Sequence, residues 1–334
     1  MSGKTQRLLA YLGLALALAF LILAPLAFRR YGLYVLSEWA VMTIAAIGLN
    51  LTLGYAGQIS LAQGAFVGIG AYSAAILTTH GWPLIAAIVV AVALCFVIGW
   101  ALGYPALRVQ HHYLAFVTLA FSTLAFLIFR NEAWLTGGTE GIDGVPRPTI
   151  LGLSMAPHLR YYYFCLLVLA LASLATLGLV RSPWGRAFVA LRENPIRALS
   201  LGVDTRRYIL AAFAIGSALG GLSGALYAPL VGLVEPPAFN LTLSFTLLMM
   251  VIVGGSGYFL GPFLGALIAV LLPEWLRFLE SYYLILYALL VMALLIYSPT
   301  GLIGILDRLL VNRRTRAASA ARAAMSASIE GPAR

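Results

Sequence analysis

GLNLTLGYAGQISLAQGAFVGIGAY, from Gly48 to Tyr72, is apolar enough for a bilayer yet holds six glycines and several polar side chains that a passive anchor does not need. A helix over Gly48 to Leu53 meets Gly54-Tyr55-Ala56-Gly57, whose glycines permit the backbone angles that end or kink a helix. Ser60 followed three residues later by Gln63 has capping-box spacing, each side chain bonding the other residue's backbone N–H, so a second helix is expected to start there. That puts a helix N-terminus inside or beside the bilayer. Polar backbone at such depth is tolerated only where protein or a wet cavity satisfies it, and broken helices in transporters bring these ends to the cargo. An ordinary turn between two spanning helices is the alternative. On the first reading Asn50, Gly54, Tyr55, Gly57, Gln58, Ser60 and Gln63 line a pathway, and the N–H groups at the second helix start favour a passing carboxylate.

Composition agrees with a membrane setting. Of 334 residues 62% are hydrophobic and 10% charged, against a charged share of about a quarter in soluble domains. The net charge of +10 sits in gaps between apolar runs, which sets topology and gives no nucleic-acid face. Cys95 and Cys165 lie inside apolar runs and read as small core residues.

Lys4 and Arg7 precede 21 almost wholly apolar residues, Leu8 to Phe28. As a helix these reach about 31 Å, too long for a cleaved signal peptide, so an uncleaved span is expected. Further spans are expected at 33–53, 61–77, 84–104, 113–129, 161–180, 208–234, 241–253, 262–279 and 282–297. The result is an all-α polytopic membrane protein of about ten helices, some of them broken. The transmembrane domain covers 1–311, and 312–334, rich in Ala, Ser and Arg, is expected to be a disordered tail. The positive-inside rule sends Arg108, the six arginines of 181–207 and the tail from Arg308 to the cytoplasm, with both termini inside. Arg29 and Arg30 fall outside in this scheme, against the rule. Glycines spaced by four, at Gly64 and Gly68, Gly99 and Gly103, Gly216, Gly220 and Gly224, and Gly261 and Gly265, are expected to pack helices closely.

Within 181–207, Ser182 before Pro183 and Asn194 before Pro195 each pair an N-cap with proline at the first helical position, and Gly202 is a left-handed stop. Two short helices are expected. They carry Arg186, Arg192, Glu193 and Arg197 beside Phe188, Leu191, Ile196 and Leu199, a mixed surface suited to docking or to anionic lipid. Gly254, Ser256 and Gly257 form a second glycine break, with a helix start at Gly261-Pro262, as expected if two halves carry corresponding broken helices. The 130–160 connection is the longest on the outer side; its Thr, Gly, Glu and Asp residues lack the ligand order of a calcium loop.

Four ordered motifs carry a resemblance: GLNLTLGYAGQISL at Gly48 to Leu61 with GIGAY at Gly68 to Tyr72, TGGTEGI at Thr136 to Ile142, the Arg181 to Asp204 segment, and GGSGYFLGPFLGA at Gly254 to Ala266. The chain resembles the branched-chain amino-acid ABC-transporter permease family, LivM-like members in particular, with Gln63-Gly64 standing where many relatives carry His-Ala or Gln-Ala. The resemblance implies a type II ABC-importer-like permease in a bacterial inner membrane. It implies that Arg186, Arg192, Glu193, Asn194, Arg197 and Gly202 belong to a coupling loop docking on an ATPase, and that 136–142 acts at the outer mouth. It also implies two ABC ATPase subunits, a second homologous permease and a periplasmic solute-binding protein as partners. No cofactor is expected on this chain, ATP being bound by the partners; Ser2-Gly3-Lys4-Thr5 lacks the upstream glycine of a phosphate-binding loop. Cargo within the family extends to urea and short amides, and the residues do not separate these. An ion-coupled secondary transporter is the other reading, but it usually needs buried ionisable groups, whereas Glu38, Glu274 and Glu280 sit near expected helix ends. An enzyme is disfavoured, since His111 and His112 beside Arg108 read as surface residues.

Overall fold

The computed structural model describes residues 21, 30–106, 111–150, 153–155, 158–276, 289, 292 and 301–304. The expected span at 8–28, the Arg108 turn, Glu280, the span at 282–297 and the tail at 312–334 lie outside the described residues. So do the side chains of His111 and His112.

Eight apolar helices match eight of the expected spans: α1 Arg30–Leu49, α2 Gln63–Thr79, α3 Leu84–Ala106, α4 His111–Asn131, α6 His158–Arg181, α9 Thr205–Val231, α10 Leu241–Gly254 and α11 Gly261–Leu276. Shorter pieces lie between them: α5 Ala133–Thr136, α7 Pro183–Glu193, α8 Pro195–Ser200, and a two-residue hairpin, β1 Thr149–Ile150 with β2 Leu153–Ser154. Among the described residues, five helices are long and apolar enough to cross a membrane. Two of these, Arg30–Tyr55 and Thr205–Val231, are 83% and 78% buried in their apolar windows, whereas the other three are 22–28% buried. The first two therefore form the centre, and the outer three turn apolar side chains such as Val89, Val97, Phe116 and Leu174 outward. Lipid accepts that face at no cost, which is why an even hydrophobicity around the helix is no fault here.

Small residues make the centre. A methyl group built on Gly48 would come 2.5 Å from the Gly216 carbonyl, and one on Gly216 would come 2.7 Å from that of Gly48, so α1 and α9 touch backbone to backbone. Gly70 faces Gly221 and Gly224 faces Val67 where α9 meets α2, while Gly99 abuts Ser217 where it meets α3. Gly64 abuts Ser244, Gly103 abuts Leu210, and Gly265 abuts Met250. The four-residue glycine spacings thus serve packing inside the chain. The hydroxyl of Ser223 adds a bond from α9 to the Val41 carbonyl of α1 (2.8 Å).

Helices α10 and α11 lie against each other where Gly254 meets Gly261. At 14 residues α10 reaches about 21 Å, short of the ~30 Å hydrocarbon layer. At the end remote from the arginine-rich loop, Ile142 and Val234 exchange both backbone bonds (2.9 Å each) and Val145 donates to Gly232 (3.1 Å). Residues 142–145 are thereby stitched to the end of α9.

Candidate functional site

The helix that begins at Arg30 does not stop at Leu53 as expected. It widens from Asn50 to Tyr55 into a π-helical stretch, with Ala56 donating to Leu51 five residues back (3.1 Å), and Gly57 then turns the chain at φ +70°. π-helical turns of this kind often mark functional sites. The chain from Gly57 to Ala62 is non-helical, and α2 begins at Gln63. Depth follows from one contact: Gln63 Nε2 donates to the Ala45 carbonyl (3.0 Å), ten residues back along α1 from Tyr55. At ~1.5 Å per residue this puts the start of α2 about 15 Å along α1 from the break. The stretch therefore folds back alongside α1.

Ser60 and Gln63 do not form the reciprocal cap. The hydroxyl of Ser60 accepts from Ala62 N–H (3.3 Å), and the Gln63 amide bridges the carbonyls of Ala45 and Gly216 (3.0 and 3.1 Å), joining α2 to both central helices. The reason is tertiary: a buried amide donor between two close-packed helices finds carbonyls there, whereas N–H groups at the helix start find hydroxyls from neighbours. Thr118 accepts from Leu61 N–H (3.0 Å) and Ser244 from Gly64 N–H (3.0 Å). Three of the N–H groups expected to meet a carboxylate are thus occupied in this state. Buried Gln58 holds its place through its N–H to Thr52 (2.9 Å) and its side-chain amide to the Ala56 carbonyl (3.3 Å). Thr118 was not among the expected site residues. In sequence it shows only as one of two threonines on an apolar helix, Thr118 and Thr123.

The second glycine break lies against the first. Asn50 Nδ2 donates to the Tyr258 carbonyl (2.9 Å) and its Oδ1 accepts from Gly257 N–H (2.9 Å), so one buried side chain satisfies both sides of the 255–258 turn. Gly54 has no side chain to hold the two apart: its α-carbon sits beneath the Asn50 amide and the Gly257 backbone. Gly255 and Gly257 take φ of +120° and +82°, and Ser256 is half-buried at the tip. Tyr55 is turned away from this junction into a separate cluster with Leu51, Ala56, Phe188 and Ala212.

The two short helices occur as the sequence indicates. Ser182 Oγ accepts from Trp184 N–H (3.1 Å), Asn194 Oδ1 accepts from Arg197 N–H (3.0 Å), and Gly202 takes φ +81°. Their apolar residues divide in two, which the expected mixed surface did not anticipate. Phe188 and Leu191 are buried as an anchor, because residues three or four apart on α7 share the face toward the membrane domain. Ile196, Leu199 and Leu201 stay 77%, 61% and 82% exposed on the far side, flanked by exposed Arg186, Glu193 and Arg197. Arg192 reaches back to the Gly54 carbonyl (2.5 Å).

A helical membrane domain with two apposed helix breaks and a capped surface helix pair defines a transport permease. The chain belongs to the branched-chain amino acid transport system / permease component family, whose model matches residues 31–296. It is 32% identical over 287 residues to the high-affinity branched-chain amino acid transport system permease protein LivM of Escherichia coli K12, covering 79% of this chain and 68% of that one. It is 27% identical to LivH of the same strain over 78% of this chain and 90% of the relative. The autoinducer 2 import system permease LsrC of Enterobacter is 25% identical over 81% and 82%. No solved structure matches the chain significantly.

Proposed function

We propose that this chain is the permease subunit of an ABC importer for branched-chain amino acids, passing its cargo along the junction of the two broken helices. Family membership names the cargo class. The observation that carries the mechanism is the capped α7–α8 pair, anchored by Phe188 and Leu191 and presenting Ile196, Leu199 and Leu201 outward. Exposed aliphatic side chains on an ordered, doubly capped unit suit a partner's groove better than water. The partner is an ATPase, two copies serving this chain and a second, homologous permease, with a periplasmic binding protein delivering cargo to the 131–157 face. ATP is bound by those partners, and this chain needs no cofactor of its own. Co-purification tests the docking surface: Leu201→Asp or Arg197→Glu should leave the permease inserted while lowering ATPase recovery at least about tenfold. Full recovery would remove 181–202 from the coupling role.

The arginine-rich loop and both termini are placed in the cytoplasm of a bacterium with this chain in its inner membrane. With Cys95 and Cys165 replaced by alanine, single cysteines at Ser200 and Thr139, both exposed, should label from opposite sides. Labelling of both by an impermeant reagent in intact cells would overturn that placement.

Gln58 and Ser60 carry the polar side chains of the 57–62 segment, each bonded within its own turn, and the Gln58 amide is the larger of the two. Gln58→Leu should therefore lower uptake severalfold with normal assembly and normal basal ATP hydrolysis. Unchanged uptake of leucine, isoleucine and valine would take the segment out of the pathway.

A further inference from the structure

Arg192 stands where the surface helix pair touches both helix breaks. Its Nη1 donates to the Gly54 carbonyl. That oxygen lies in the last turn of its helix, where carbonyls have no partner of their own. The Arg192 stem lies over Gly57, so close that a methyl group there would come 3.2 Å from its Cα and Cγ. The guanidinium also abuts the bare α-carbon of Gly257. Gly257 is in turn tied to Asn50. One side chain from the coupling segment thus closes a ring through Gly54, Asn50 and Gly257.

We propose that Arg192 is a latch: it holds the two helix breaks together from the coupling segment, and its withdrawal, when partner ATPases shift that segment, frees the arginine-rich end of the pathway to open. The inference rests on the coupling role given to 181–202 above. The two sides of the ring differ in a way that suits this motion. Asn50 is buried and makes two bonds within the membrane domain, so releasing it leaves its own buried amide unpaired. Arg192 is exposed, and its guanidinium exchanges the Gly54 carbonyl for water at little cost. Its helix is gripped on one face only, by Phe188 and Leu191, so a pull on the opposite face moves it as a unit. Arg192 is therefore a positioning residue whose bond is made or lost with the position of the segment.

The test uses the whole transporter, reconstituted in liposomes with its ATPases and binding protein. Arg192→Met keeps an unbranched stem over Gly57 and removes the donor. It should retain ATPase subunits at wild-type stoichiometry, raise hydrolysis without binding protein about threefold, and lower amino acid uptake per ATP about tenfold. Arg192→Lys, which keeps a donor, should bring uptake per ATP back to within about twofold of wild type. Wild-type coupling in Arg192→Met would make the residue a strut and overturn the latch. Loss of ATPase subunits in Arg192→Met alone would make it a docking contact, also overturning it. Full ATPase retention by both Arg192→Met and Leu201→Asp, with normal transport by each, would instead sink the coupling reading itself. Should Arg192→Met not accumulate, a single cysteine at Ser256 with Arg192 intact decides. Its labelling rate from the coupling-segment side should rise severalfold during ATP turnover, and an unchanged rate refutes the opening.

Discussion

Gly70→Val should abolish accumulation of the folded permease, read as loss of the monodisperse peak after detergent extraction. The added Cβ would lie 2.6 Å from Gly221 Cα, and its other near neighbours are backbone atoms of the same residue, so no rotamer change relieves the overlap. Helices α2 and α9 must separate instead. Overpacking of this kind typically costs about 1–3 kcal/mol and occasionally more where backbone must move. The cost is compounded because α9 also touches α1 and α3 through Gly216 and Ser217. Gly178→Val is the control: among the described residues nothing lies within 4 Å of its Cβ position on α6, so the permease should accumulate normally. Equal accumulation of the two variants would mean that α9 does not hold the centre.

Asn50→Leu should be the most damaging substitution at the junction of the breaks, because it is near in volume yet leaves Gly257 N–H and the Tyr258 carbonyl without the partner they have now. Each buried group left unpaired costs roughly 1–3 kcal/mol. The expected outcome is a clear fall in thermal midpoint of the purified permease together with loss of uptake. Asn50→Asp keeps the acceptor for Gly257 but removes the donor to Tyr258 and buries a carboxyl group. It should fall between wild type and leucine near neutral pH. A leucine variant with wild-type midpoint and transport would show that the 255–258 turn holds itself without Asn50.

Three things were legible in the residues alone. Long apolar runs separated by arginines located the eight described spans, since a bilayer demands about 20 apolar residues whatever they pack against. Ser182-Pro183, Asn194-Pro195 and Gly202 gave the surface helix pair, because caps are local chemistry between a side chain and N–H groups two or three residues on. The glycine pairs announced close packing. None of these needs a distant partner.

Partnership across the chain was decided by the tertiary structure. Gln63 has the spacing of a cap, yet its amide spans Ala45 and Gly216, since carbonyls exposed by glycine packing lie nearer than its own helix start. Arg192 has the composition of a docking residue, yet it turns inward to a carbonyl 138 positions away. Asn50 and Gly257, separated by 207 positions, show in sequence only as a polar residue and a glycine in apolar runs. Such pairings leave no periodicity and no local spacing, because in lipid a polar group must find whichever partner the folded helices bring to its depth. The sequence by itself determined where the eight described apolar helices lie and the capped surface pair; how the first of them ends, that the two breaks meet, and that one arginine reaches both, was settled only when α1, α7, α9 and α10 packed together.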